Sequence, residues 1–366
     1  MKRLANTLRF LVGILFIFSG LVKANDPLGL AFKMEEYFEL WKLFWLIPSA
    51  KTFSVAMNSL EIIAGSALCL GWQNKWNLRL LLALILFFTA LTGYTYYTGY
   101  PKTCGCFGDC LPIDSKTSYF KDIFLLAGII VLWVGQRHLH PIRARSIQLI
   151  TITLAIIFSV GLQFYVLHHL PIVDCLPYRI GTNITEARKQ PPSTKGSTVM
   201  LVYEKAGKEI SFPADRFPAD FSAATYHFVR QEETGEVPQA PIQGFVLNDS
   251  SGADVTDEIL NLDNVLLIFS EKSESLGQWK ESLTDIQRLA TKKQFPIALI
   301  SNETKEWCLQ HSRDYSGIRL LSSDRTPIRT AARVNPTVYL LKNGTILGKW
   351  AIADWSVAKN ALNKQP

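Results

Sequence analysis

Five apolar runs, residues 10–24, 53–70, 80–97, 119–135 and 147–170, occupy most of the chain before residue 171. A bilayer core of about 30 Å takes about 20 helical residues to cross. The last run meets that length, whereas the first and fourth borrow from their flanks. Lys23, and Lys121 with Asp122, are expected at those flanks, with their stems along the apolar core and their charges among the headgroups. A signal peptide is the alternative for the first run, because MKRLANTLR is a charged leader and FLVGILFIF an apolar stretch. Its cleavage tripeptide, Val22-Lys23-Ala24, is a poor fit with a lysine at the centre. After Pro171 the composition becomes that of a mixed soluble domain, so the chain divides into a membrane half and a globular half.

Charge gives the expected orientation. MKRLANTLR, GWQNKWNLR and QRHLHPIRAR hold eight Lys or Arg and no Asp or Glu, which assigns them to the cytoplasm. Without those eight, 30 basic residues face 31 acidic ones, so the net charge of +7 is a topology signal. No nucleic-acid footprint is implied; the partners expected are membrane lipid and exported protein thiols or disulfides. Five spans from an inside N-terminus put the loop after the third run, and everything beyond Leu170, outside an inner membrane, where disulfides persist. Between the first two runs, DPLGLAFKMEEYFELWKLFWLIPSAK carries Phe38, Trp41, Phe44 and Trp45 at near-helical spacing. That segment reads as an interfacial or re-entrant helix, or as one packed on the spans, and in either case it can roof the loop.

The loop TCGCFGDCLP places Cys104, Cys106 and Cys110 within seven residues, separated by Gly105 and Gly108. Cys175 follows the last span on the same side. Three readings stay open: a thiol–disulfide exchange centre, a static staple, and a zinc site lacking the paired spacing of known fingers. Exchange needs an accessible thiolate and a resolving thiol nearby. A pair one residue apart closes a strained ring, so Cys106 and Cys110 are the expected exchanging pair, with Cys104 or Cys175 passing the disulfide on. Gly105 and Gly108 supply the backbone freedom. Cys69 and Cys308 read as buried fillers, and His168 and His169 as interfacial anchors. Glu61, in the middle of the second run, must face the bundle and find a partner, Asn58 or another helix, or else relay protons for the exchange. A quinone is a candidate electron acceptor, although no residue demonstrates one.

Two resemblances follow from these residues. CGCFG before an apolar helix, with FLVGILFIFSGLVKA and SLEIIAGSALCLGW, resembles the DoxX-like membrane proteins, in particular the MauE branch of methylamine utilisation. That likeness implies a four-helix bundle over about residues 8–136 and a part in maturing a disulfide-rich periplasmic enzyme. GFVLNDSSGADVTDEILNLDNVLLIFS with NPTVYLLKNGTILGKW resembles the thioredoxin fold of the peroxiredoxin and TlpA-like group. By that likeness Pro336 follows a cis peptide bond. The family's CxxC is replaced by Glu271, Lys272, Ser273 and Glu274, so dithiol chemistry at that site is excluded.

The expected architecture is therefore a membrane α-helical bundle of four to five transmembrane helices over residues 1–171 and a soluble α/β thioredoxin-like domain over 240–366. A linker with a small β element, TVMLVYE–KAGKE–ISF, joins them over 172–239. The expected activity is that of a membrane thiol–disulfide oxidoreductase with a docking domain. The rival is a non-catalytic anchor or assembly factor with structural disulfides.

Overall fold

The computed structural model describes residues 2–101, 105, 108–111, 113–189, 198–205, 208–213, 216–218, 220–222, 225–234, 240–271, 277, 279–311 and 315–364. The N-terminal bundle comprises α1 (Lys2–Asn25), α2 (Pro27–Leu40), α3 (Ala50–Leu70), α4 (Asn74–Thr98), α5 (Ser115–Val134) and α6 (Arg145–His168). Among the described residues five helical stretches, α1, α3 with its leading turn, α4, α5 and α6, are long and apolar enough to cross a membrane. Sequence punctuation fixes their ends. Gly71 and Gly99, both left-handed, stop α3 and α4. Asp114 caps α5 by accepting the Thr117 N–H.

Small residues let α1 and α3 approach closely. A Cβ on Gly65 would lie 2.6 Å from the Gly13 carbonyl oxygen, the close backbone contact that membrane helices obtain from glycine. The remaining interior is Val12, Phe16, Leu68, Leu78, Leu81, Ile129 and their neighbours. Helix α6 joins through amides: Asn58 donates to Gln163 at 3.1 Å, and Gln163 donates to Ser59 at 2.9 Å.

The short α2 is capped by Asp26, which accepts the Gly29 N–H, and opens with Pro27. It buries Leu30, Ala31, Met34, Tyr37 and Phe38. Trp41, Phe44 and Trp45 beyond it are exposed. The helix does lie over the cysteine loop: a Cβ on Gly105, whose φ is +69°, would meet Lys33 Cγ at 3.1 Å.

The C-terminal region begins earlier than the composition suggests. Tyr178, and Ile184 of α7 (Ile184–Ala187), are buried in the same core as Phe245, Leu267 and Leu341. Asn183 bridges Thr345, so residues 176–187 belong to this layer and are not linker. β1 (Thr198–Lys205) and β2 (Lys208–Pro213) form the expected hairpin. β3 (His227–Thr234), which the sequence did not announce, pairs with the other side of β1. FVLNDSSGADV is a turn in which Asp249 accepts the Ala253 N–H, with Phe245 and Leu247 buried in the core.

After α8 (Thr256–Leu260) come β4 (Val265–Phe269), α9 (Lys280–Lys293), β5 (Ile297–Ser301), α10 (Lys305–His311), β6 (Arg319–Ser322), α11 (Arg325–Ala331), β7 (Thr337–Lys342), β8 (Thr345–Ala351) and α12 (Trp355–Asn363). The sheet order is β6-β5-β4-β7-β8, with β4 parallel to β5 and antiparallel to β7. VLLIF and IALIS are buried at every position, as strands covered on both faces must be. The Asn335–Pro336 bond is cis.

Candidate functional site

Two short sequence pieces, Asn25-Asp26 at the end of α1 and Val173-Asp174-Cys175 beyond α6, meet the cysteine loop and the C-terminal sheet at one point. Cys110 and Cys175 are joined there in a disulfide across 65 residues. Cys175 thus lies at the loop, as expected, and in this state Cys110 is bonded to it and not to Cys106. Cys104 and Cys106 lie outside the described residues, so the expected pairing with Cys106 is not described. Gly105 and Gly108 both take left-handed φ, +69° and +57°, a conformation that glycine adopts at no steric cost.

Asn25 brackets the incoming segment. Its Nδ2 donates to the Val173 carbonyl at 2.8 Å, its Oδ1 accepts the Val173 N–H at 3.0 Å, and Nδ2 also lies 4.0 Å from Cys110 Sγ. Next to Cys175, Asp174 accepts from Lys349 Nζ of β8 at 2.9 Å. The Lys349 side chain is only 2 % exposed. Burial pushes its ammonium below the usual lysine value, and Asp174 opposes that shift.

From the same place an ion-pair ladder runs between α2 and the C-terminal domain. Arg333 Nε donates to Asp26 Oδ2 at 2.8 Å, with both side chains buried. Arg329 reaches Glu35 at 2.7 Å and Glu271 at 2.8 Å, and its guanidinium sits 4.2 Å from the centroid of Phe32. Arg325 holds Glu271 at 2.8 Å. Glu271, where the thioredoxin likeness would place a thiol, donates its N–H to Asn335 beside Pro336. His169 is not simply an anchor, since its Nδ1 lies 2.7 Å from Asp354 Oδ1. The signal for the ladder was in the sequence: three arginines four residues apart in DRTPIRTAARV, opposite the acidic face MEEYFE. An internal proline disguised the helix.

A second polar cluster lies within the bundle. The partner of Glu61 is Lys23 of α1, which also sits 4.3 Å from the Phe88 ring centroid. Lys23 is therefore not a headgroup anchor: a buried carboxylate draws the ammonium inward, because neither charge is tolerable alone in a low-dielectric interior. Asp122 is likewise buried, accepting from Thr92 at 3.0 Å and from Lys121 at 2.6 Å. Ser19, Lys23, Glu61, Lys121 and Asp122 border a cavity of about 30 Å³, room for about one or two waters. Cys308 is buried, and burial pushes its thiol up. Cys69 is partly exposed rather than buried, and it faces Gly13, where an added Cβ would lie 2.5 Å from its sulfur. Among the described residues, no three His, Cys, Asp or Glu side chains are grouped to hold a metal.

Five apolar helices, with a loop disulfide-bonded to the segment that enters a mixed β-sheet domain, define a multi-pass membrane protein with a C-terminal domain secured to its bundle. Residues 1–134 match the family model of the methylamine utilisation protein MauE. Residues 198–234, the three-stranded sheet, match a domain of unknown function (DUF8463). No curated protein and no solved structure matches the chain.

Proposed function

We propose that the chain is a membrane thiol–disulfide exchange protein that serves the maturation of an exported, disulfide-bearing enzyme, in keeping with the MauE match over residues 1–134. The observation that carries this reading is the Cys110–Cys175 disulfide beside a glycine-rich loop holding two further cysteines, Cys104 and Cys106. In the exchange, a partner thiolate attacks one sulfur of the pair and forms a mixed disulfide. A second partner thiol resolves it, so two electrons and two protons move from partner dithiol to this chain. Cys104 and Cys106 return the pair to the disulfide state by passing those electrons onward, with a membrane quinone as the candidate acceptor. Glu61, paired to Lys23, is the candidate proton carrier. The cysteine loop and the C-terminal domain lie on the periplasmic side of an inner membrane, by the distribution of Lys and Arg. The five-stranded sheet is read as a thioredoxin-like fold that has lost its thiols and serves for docking.

A second reading, a membrane anchor with a static staple, is favoured by the long sequence span the disulfide closes and by the ion pairs around it. Differential alkylation of native membranes with mass mapping of Cys104, Cys106, Cys110 and Cys175 separates the two. Exchange gives mixed redox states that move with respiratory state, and Cys110→Ser or Cys175→Ser, which leaves one cysteine of the attacked pair unresolved, traps a mixed disulfide with a partner. Complete oxidation under every condition, with no trapped species, overturns the exchange reading in favour of the staple.

A further inference from the structure

Residues 169–175 leave α6 as irregular chain with Ile172 and Val173 exposed, between the buried Pro171 and the buried Leu176 that follows Cys175. Leu176 anchors Cys175 from the C-terminal side, and from the N-terminal side it is held by polar ties on the two preceding residues. Asn25 of α1 closes a two-point bracket on the backbone of Val173, at 2.8 and 3.0 Å. Lys349 of β8 holds the Asp174 carboxylate at 2.9 Å. One tie belongs to the membrane bundle and the other to the C-terminal sheet. Those two bodies are themselves joined next to Asn25 by the buried Asp26–Arg333 pair.

We propose that Asn25 and Lys349 are positioning residues for the Cys110–Cys175 disulfide, and that through Lys349 the docking of the C-terminal domain favours the bonded form over the dithiol. The proposal rests on the reading of this disulfide as one that opens and closes. Its physics is effective concentration. When a partner dithiol gives up two electrons and two protons, the S–S bond breaks, two thiols form here and the partner acquires the disulfide. The ties keep Cys175 Sγ near Cys110 Sγ after that event, so reclosure is effectively intramolecular at high local concentration. Without them the chain carrying Cys175 explores more volume and the open form gains entropy. Asn25 also faces Cys110 Sγ at 4.0 Å, where its N–H favours a thiolate and hence the open form. That single long contact is weaker than the two backbone bonds, so the bracket decides the sign. Linkage makes the effect reciprocal: if docking favours the disulfide, the disulfide favours docking.

The test is the equilibrium of the full-length protein in detergent with glutathione buffers of graded ratio, reading the Cys110 and Cys175 peptides by differential alkylation. Lys349→Met keeps the volume, removes a buried charge, and leaves a carboxylate that can turn to solvent. It should make the pair about tenfold easier to reduce, a rise of about 30 mV in potential. Asn25→Ala should shift it the same way, and serves alone should the lysine variant not accumulate. Lys359→Met, which breaks the exposed Lys359–Asp285 pair of the same domain, should change nothing. A shift under twofold in both test variants, or an equal shift in the control, overturns the proposal. Partner trapping is scored separately. A shifted potential without trapped partner retains the positioning role and removes the exchange function; a trapped partner with an unshifted potential does the reverse.

Discussion

Removing one member of the Lys23–Glu61 pair is expected to destabilise the bundle far more than removing both. Both side chains are almost wholly enclosed, at 1 and 2 % exposure, and the ammonium is further held by the face of Phe88. Glu61→Gln alone leaves Lys23 charged without its direct partner, in a cavity lined by Leu15, Phe16, Ile85 and Leu125 where the one other carboxylate, Asp122, is already bonded to Lys121 and Thr92; Lys23→Met alone leaves the carboxylate with the Ser19 hydroxyl. An uncompensated buried charge costs about 3–5 kcal/mol, whereas replacing a whole buried pair by groups of similar volume is often close to neutral. Each single variant should therefore lose about 3–5 kcal/mol. The double variant should lose about 1 kcal/mol or less, giving a coupling of several kcal/mol in a double-mutant cycle. The assay is reversible unfolding in mixed micelles, followed by exchange protection of α1 and α3 amides. Additivity of the two single losses within about 0.5 kcal/mol would show that the charges do not act as a pair. The same variants address proton carriage: if the double variant keeps its stability yet slows turnover of the loop disulfide, the pair has a chemical role as well.

Gly65→Ala should cost about 1–3 kcal/mol, because its Cβ would fall 2.6 Å from the Gly13 carbonyl oxygen; Gly161→Ala, inside α6 with nothing within 4 Å, should cost nothing and gain up to about 1 kcal/mol in the same unfolding assay. Cys308, buried and with its thiol pushed up, should resist a maleimide in the native protein and label fully after denaturation; native labelling would contradict the packing of α10. Asp249, Asp254 and Glu258 are held below the usual carboxylate range by hydrogen bonds from Ser251, Thr256 and Arg319 respectively. Groups depressed in the folded state stabilise it above their unfolded values, near pH 4, and lose that contribution as pH falls through the lower folded values. Exchange protection of β4–β6 should therefore fall as pH drops below about 4, and in Asp254→Asn the part due to that group should already be missing at neutral pH. A variant as well protected as the parent at neutral pH would refute the assignment.

What was legible in the sequence depended on short-range regularity. Five apolar runs suffice for five long helices, because a membrane core demands internally bonded backbone over a fixed length. The continuous apolar runs VLLIF and IALIS suffice for central strands. Glu61 announced that it needed a partner, since a lone carboxylate in that position is costly. Which partner was illegible: Lys23 stands 38 residues away in the chain, near the end of a run, where a lysine ordinarily reads as an anchor. The boundary of the C-terminal layer was misplaced for a similar reason. Tyr178 and Ile184 carry no periodic pattern, and only the tertiary core recruits them. β6 and α11 are four and seven residues long, too short to yield a period, and α11 contains Pro327.

The arrangement around Glu271 joins these observations. If the sheet is thioredoxin-like, as proposed, the edge that would exchange disulfides must stay open to a partner and must offer a sulfur. Here β4 runs out through Ser270 to Glu271, whose carboxylate lies between Arg325 and Arg329. The same two arginines reach Glu35 of α2, so the edge is occupied by the chain's own membrane bundle. An anion at Glu271 balances cations that would otherwise crowd one face, and the cations then bind α2, which lies over the cysteine loop. The C-terminal domain also meets the disulfide region through Arg333 and Lys349, whose partners, Asp26 and Asp174, are each one residue from a group at the disulfide, so the proposed exchange would take place beside this contact.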